Sequence, residues 1–271
     1  VEKGNMLTEK RFDTGLTINY AEGPANGSPL VLLHGGTARW QELNPLINEL
    51  EHHWHVHACD QRGHGKSDRA AAYRVVDFVP DTVTFVKQHI GAPTVLLGHS
   101  GGAIVTLGVA SQIPELIRAV VLLDPPLYLH ELSIKSNWVY GYFLGTYDIL
   151  THQRTAREVF AELFPDIDEA GIQHLEEVIR LVDPEFVRVL LEDRYFEDLD
   201  VPAMLEKVTC PTLMLYGELE KGAVVRDQDV KFFLKHVAKG TAIQIKNAGH
   251  LLQVDQPAWV LEHSEEFLEN L

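Results

Sequence analysis

A serine with glycines two positions away on either side occurs at Gly98-His99-Ser100-Gly101-Gly102, directly after the apolar run Thr94–Leu97 and before a stretch of small residues. A serine hydroxyl is a weak nucleophile until a base takes its proton. On a sharp strand-to-helix turn it stands clear of the sheet edge, and the glycines let neighbouring chains pass closely. Such a turn also puts the Gly101 amide at a helix N-terminus, without an intrahelical partner and able to face a developing oxyanion. Upstream, Leu30–Leu33 leads into His34-Gly35-Gly36-Thr37, and the Gly36 amide is the expected second donor. Downstream, Gly249-His250 follows the run Ala242–Ile245. His250 comes after the serine in the chain, on a loop past a strand, as a general base for Ser100 requires. Its imidazole needs a carboxylate to fix the tautomer. The chemistry these residues fit is acyl transfer.

The elements that would position them are legible as short continuous apolar runs: Leu30–Leu33, Thr94–Leu97, Ala119–Leu123, Thr212–Tyr216 and Ala242–Ile245. Continuous runs suit strands covered on both faces of a parallel sheet. Between them, Trp40, Leu43, Leu46, Ile47 and Leu50 form one helical stripe, and Val230, Phe233, Leu234 and Val237 another. Asp77 is placed to cap a helix that runs to Gly91, with Pro80 in its first turn. The stretch around Arg11–Glu22 alternates and suits an antiparallel edge hairpin. The reading is an α/β fold with a mostly parallel central sheet flanked by helices.

The rhythm breaks between Asp124-Pro125-Pro126 and the strand signal at Pro211-Thr212. Residues 127–209 read as helical throughout, with a stripe at Ile172, Leu175, Val178, Ile179 and Val182 that stops at Asp183-Pro184. The expected organisation is a core built from 1–126 and 210–271 with an inserted helical cap at 127–209. Aromatic residues are concentrated in that cap, and Trp138, Tyr140, Tyr142 and Phe143 are the candidates to line a substrate site.

Acidic residues outnumber basic ones by 39 to 23 across the 271 residues, a formal charge of −16. That excess argues against nucleic acid or an anionic membrane as partner. The cap alone holds 17 acidic against 7 basic residues, which disfavours anionic substrates and fits neutral or weakly polar esters. No apolar run approaches the roughly 18 residues of a membrane span. Val1–Met6 lacks the pattern of a secretory signal, and Cys59 and Cys210 read as reduced core residues; both fit a cytoplasmic protein. Histidines are dense at His52, His53, His55 and His57, and His55 and His57 would share one face of a strand. No third ligand is evident beside them, so no metal and no cofactor is expected.

Taken together, His34-Gly35-Gly36, Asp60-Gln61-Arg62-Gly63-His64-Gly65-Lys66-Ser67, Gly98-His99-Ser100-Gly101-Gly102 and Gly249-His250 resemble the α/β-hydrolase fold superfamily, in its capped serine esterase and lactonase-like branch. The resemblance covers nearly the whole core and implies a structural role for the Asp60–Ser67 loop. It implies a serine hydrolase that cleaves a carboxylic ester or lactone of a small, fairly hydrophobic molecule through an acyl-enzyme. Such proteins usually carry an aspartate shortly past a glycine after the strand Leu213–Tyr216. Here Gly217-Glu218-Leu219-Glu220 puts Glu220 at that place, and Asp124 is the rival acid, since some members draw it from the preceding strand end. Glu220 is favoured on chain order. A serine at the turn counts against dehalogenase or epoxide hydrolase activity, which use an aspartate there. Other chemistry on the same triad (C–C or amide hydrolysis, perhydrolysis, cofactor-free oxygenation) stays open, as does a small-molecule receptor of the same fold.

Overall fold

The fold is seen in a computed structural model, described over residues 6–270. Val1–Asn5, most of the segment read above for a leader, lies outside those residues. The strands are β1 (Thr8–Asp13), β2 (Thr17–Glu22), β3 (Pro29–Leu33), β4 (His55–Cys59), β5 (Thr94–His99), β6 (Ile117–Leu123), β7 (Thr212–Tyr216) and β8 (Gly240–Gln244). They form one sheet of eight strands in the order β1-β2-β4-β3-β5-β6-β7-β8. β1 and β2 make the expected antiparallel hairpin, and β2 also pairs antiparallel with β4. From β4 to β8 every pairing is parallel.

Alternate residues of the central strands feed two separate apolar layers. On one side Val31, Leu33, Leu96, Val120 and Leu122 pack with residues of α2 (Val75–Thr84), α3 (Gly101–Gln112) and α9 (Asp227–His236). On the other, Leu30, Leu32, Val95, Leu97 and Val121 pack with α1 (Asn44–Leu50), α10 (Leu252–Asp255) and α11 (Pro257–Glu269). Burial on both faces explains why these strands read as unbroken apolar runs. The helix expected at Asp77 begins earlier, at Val75. Asp77 is its third residue, and its carboxylate accepts a hydrogen bond from the Arg74 amide at 2.9 Å. Pro80 therefore sits in the second turn, and the helix continues as a π-helical segment, Phe85–Ile90. Cys59 and Cys210 are buried free thiols.

Between β6 and β7 the chain is helical: α4 (Val139–Leu150), α5 (Ala156–Leu163), α6 (Glu169–Ile179), α7 (Pro184–Leu191) and α8 (Val201–Glu206), with short 3-10 turns before them. The stripe ending at Val182 is α6, and Asp183 caps α7 by accepting from the Glu185 amide, with Pro184 as its first residue. Ile149, Val159, Phe160, Ile172 and Ile179 form a small core of their own within α4 to α6. Phe186 and Leu190 of α7 and Val201 and Met204 of α8 instead join the layer that covers the sheet. Among the described residues no helix is long and apolar enough to cross a membrane.

Candidate active site

Ser100 is the residue between β5 and α3, and its backbone has φ 52° and ψ −121°. A non-glycine residue at positive φ is strained and persists only where its surroundings hold it. Here the Ser100 amide donates to the Leu123 carbonyl at 2.8 Å, which ties the turn to β6. Close packing does the rest: a Cβ on Gly102 would stand 2.4 Å from the His34 carbonyl oxygen and 2.5 Å from that of Leu33. Asp124, directly after β6, and Thr37, four residues past the end of β3, also have positive φ, 45° and 60°. Three residues on the loops that follow central strands are thus bent out of regular geometry.

Oγ of Ser100 lies 3.0 Å from Nε2 of His250, and Nδ1 of His250 lies 2.7 Å from Oδ2 of Asp124. With Nδ1–H donating to the carboxylate, Nε2 is left as the acceptor for the serine hydroxyl. Asp124 is fully buried. Its carboxylate is compensated by more than the imidazole, since it also accepts from the amides of Val224 at 2.8 Å and Gly217 at 3.3 Å. His250 is braced from behind: its carbonyl accepts from Nε2 of His99 at 2.9 Å. Burial pushes the His99 pKa down to about 3, so that ring is neutral when it donates.

The favoured acid, Glu220, is not in this constellation. It is exposed on the 3-10 turn Leu219–Lys221. The reason lies in the loop that follows β7. Its amides at Gly217 and Val224 wrap around the Asp124 carboxylate, and the histidine loop lies directly on it, so that a Cβ on Gly217 would stand 2.4 Å from the Gly249 carbonyl oxygen. Wrapped inward at both ends, the loop turns its middle, Glu220, to solvent. Chain order favoured Glu220, but Asp124 satisfies the same order; the signal for it was that Asp124 extends a strand whose last five residues are all buried, next to the nucleophile strand.

A cavity of about 250 Å³ opens above Ser100. Gly36 and Gly101 both line it, and a Cβ on Gly101 would lie 3.8 Å from the Gly36 nitrogen, so the two backbone segments converge beside the serine. Of the four aromatic candidates, Trp138, Tyr142 and Phe143 line the cavity. Tyr140 does not: it is half-buried against the layer covering the sheet, so its place is packing. Trp138 is at the rim, about half exposed, with its indole N–H donating to the Gly222 carbonyl at 2.9 Å. The Tyr142 hydroxyl lies 3.1 Å from Oγ1 of Thr37, next to Gly36.

The sequence reading missed Tyr128, Phe186, Tyr195 and Gln253, which complete the wall. Within the described residues, the Tyr128 hydroxyl and Oε1 of Gln253 are buried without a hydrogen-bond partner. Such groups inside a ligand cavity are free to meet a polar atom of a ligand. No Lys or Arg side chain is among the described lining residues, and the one carboxylate there, Glu42, is engaged with His174 at 3.1 Å and Arg39 at 3.5 Å.

The Asp60–Ser67 loop, expected to be structural, is held by hydrogen bonds to neighbouring segments. The Asp60 carboxylate accepts from the amides of Trp40 at 2.9 Å and Lys66 at 3.0 Å and from the Asn19 side chain at 2.8 Å. It thereby ties the segment after the Gly36 turn to β2 and closes its own loop at Lys66.

Comparison with known proteins agrees with this geometry. The alpha/beta hydrolase family matches residues 30–263. The chain is 27% identical over 269 residues to the (E)-2-((N-methylformamido)methylene)succinate hydrolase of Acinetobacter baylyi, covering 93% of this chain and 94% of that one. Its fold is shared with an N-formylmaleamic acid deformylase from Pseudomonas putida S16, at a TM-score of 0.78 and 20% identity, over 93% of this chain and 97% of that one. It is shared equally with naproxen esterase from Bacillus subtilis, at a TM-score of 0.76 and 20% identity, over 98% and 92%. These relatives are hydrolases of different bonds on one scaffold, and the chain belongs to the alpha/beta hydrolase family.

Proposed function

We propose that this hydrolase cleaves a carboxylic ester or lactone of a small, uncharged, largely apolar molecule, with Ser100 as nucleophile. The observation that carries the reading is the hydrogen-bonded series Ser100–His250–Asp124 at the floor of an aromatic-walled cavity without a cationic side chain among its described lining residues. His250 takes the Ser100 proton as Oγ attacks the acyl carbon, and the amides of Gly36 and Gly101 hold the oxyanion. The imidazolium returns the proton to the leaving alcohol. Water activated by the same imidazole then releases the acid. Asp124 orients His250 and stabilises its charged form. Residues 127–209 act as the cap, and Trp138, Tyr142 and Phe143 shape the acyl or alcohol subsite.

A second reading is amide hydrolysis, favoured by the similarity to the Acinetobacter hydrolase, whose name carries both an amide and a succinate. A dicarboxylate needs cationic partners when it is desolvated. The described lining offers none, so the neutral ester is preferred.

A fluorophosphonate probe, read by intact mass and peptide mapping, is expected to give one adduct, on Ser100, absent from Ser100→Ala. Labelling elsewhere would reject the serine mechanism. Turnover of neutral aryl esters is then expected to exceed that of N-acyl aminomethylene dicarboxylates. The reverse ranking, with Ser100 still labelled, would move the assignment to the amide.

A further inference from the structure

A second cluster of titratable side chains lies away from Ser100, toward the amino end of β4. His55 and His57 are alternate residues of that strand and share a face, with ring centroids 4.3 Å apart. Two further groups join them through the fold, which the sequence alone does not reveal. Glu22 is the residue of β2 directly paired with His57, and His89 comes from the π-helical segment that continues α2. Ligand atoms of Glu22, His57 and His89 all lie within 4.8 Å of one another. His57 is only 2% exposed, yet neither of its ring nitrogens has a hydrogen-bond partner among the described residues. A buried imidazole with both nitrogens unused calls for a reason. The Glu22 carboxylate is held on one oxygen by Nε2 of His55 at 3.0 Å and on the other by Nζ of Lys10 at 2.8 Å.

We propose that Glu22, His57 and His89 form a zinc-binding site, with His55 as the residue that orients the Glu22 carboxylate. Two imidazoles and one carboxylate are a donor set that suits this ion, with water as a fourth ligand. Zinc–ligand bonds of about 2.0–2.2 Å place tetrahedral ligands about 3.4 Å apart, so the three groups close by roughly 1 Å. Half-exposed His89 supplies most of that movement. Lys10, whose ammonium is at the surface, yields its place on Glu22 to the ion. The bound ion ties the edge hairpin to the central sheet and to the helix covering it, a structural role separate from the hydrolytic site.

The test is calorimetric titration of zinc sulfate into the chelator-stripped chain, with thermal melting in parallel. Wild type is expected to bind one zinc and to melt at a higher temperature with it. Loss of an orienting partner lowers metal affinity about 10–100-fold. His55→Ala is expected in that range, and His89→Ala and Glu22→Gln at least as far. Lys10→Met is expected to bind more tightly, and His263→Ala, on α11, to bind as wild type does. Because His57 is buried, the partly exposed His89 and Glu22 carry the test, with circular dichroism to show that each variant folds. Absence of binding in wild type, or binding unchanged in both folded His89→Ala and Glu22→Gln, would overturn the site.

Discussion

Asp124→Asn is expected to lower kcat by about 10⁴, while Glu220→Gln leaves it within a few-fold of wild type. The amide keeps the shape of the carboxylate but not its charge, and it no longer selects the His250 tautomer with Nδ1–H. In the serine-protease triad the equivalent change has an effect of that size. Here the imidazole would turn its lone pair toward the new amide, and Nε2–H would face Ser100 Oγ instead of accepting from it. The Val224 amide, 2.8 Å from Oδ2, would also meet an N–H₂ group in one orientation of the asparagine. Thermal melting must therefore accompany the kinetics. The decisive comparison is single-turnover acylation by folded variants. A folded Asp124→Asn enzyme that acylates at near wild-type rate would remove Asp124 from the mechanism.

Asp124 also marks where sequence reasoning ran out. The places of Ser100, His250, Gly36 and Gly101 were legible because they depend on local geometry: a strand, a tight turn and a helix, written in consecutive residues. Five of the parallel strands were legible too, since burial leaves unbroken apolar runs such as Thr212–Tyr216, but their order in the sheet was not. The acid depends instead on which of two strand ends the histidine loop settles against. That is decided by Gly217 and Gly249 passing within van der Waals range of the loops they face, contacts between segments some 30 residues apart. The cluster at Glu22, His57 and His89 was hidden for the same reason. His57 was read as a pair with His55, but the register of β2 on β4 and the descent of the π-helical turn onto that face are tertiary facts. Tyr140 and Tyr142 show the limit at the finest scale. Two residues apart on one helix, they face different surroundings, and composition could not tell the cavity wall from the packing side.

Steep acid destabilisation is the second large effect expected. His34, His64 and His99 are buried, and loss of hydration pushes their pKa values down to about 4, 3 and 3. Hydrogen bonding enforces the neutral form of the first two. Nε2 of His34 accepts from the Gln61 amide at 3.0 Å, and Nε2 of His64 accepts from the Thr37 amide at 3.2 Å. A proton on either nitrogen would face an N–H. In the unfolded chain these imidazoles titrate near 6.5. Below that pH the unfolded state binds more protons than the folded one, so stability is full above about 6.5 and falls as pH drops toward the folded values. Each histidine contributes a slope of up to about 1.4 kcal/mol per pH unit within that window. Three of them approach about 4 kcal/mol per unit, against a total stability of about 5–15 kcal/mol for an ordinary domain. The melting temperature should therefore fall sharply between about pH 6 and pH 4. A melting temperature that stays level from pH 7.5 to 5 would show that these rings are protonated in the folded protein, or already shielded in the unfolded one.

The positive φ angles at Thr37, Ser100 and Asp124 have a bearing on how such a protein changes over generations. Each such backbone costs on the order of 1–3 kcal/mol, and together they form a reserve of instability placed where the chemistry is. Relief of the backbone angle is one substitution away at each position, because glycine adopts the same angles without a steric penalty, though at Asp124 it would leave the Val224 and Gly217 amides unpaired. Selection for heat resistance alone would therefore erode the site from its strand ends inward. A lineage that keeps side chains at all three positions has been held there by turnover, at the expense of robustness.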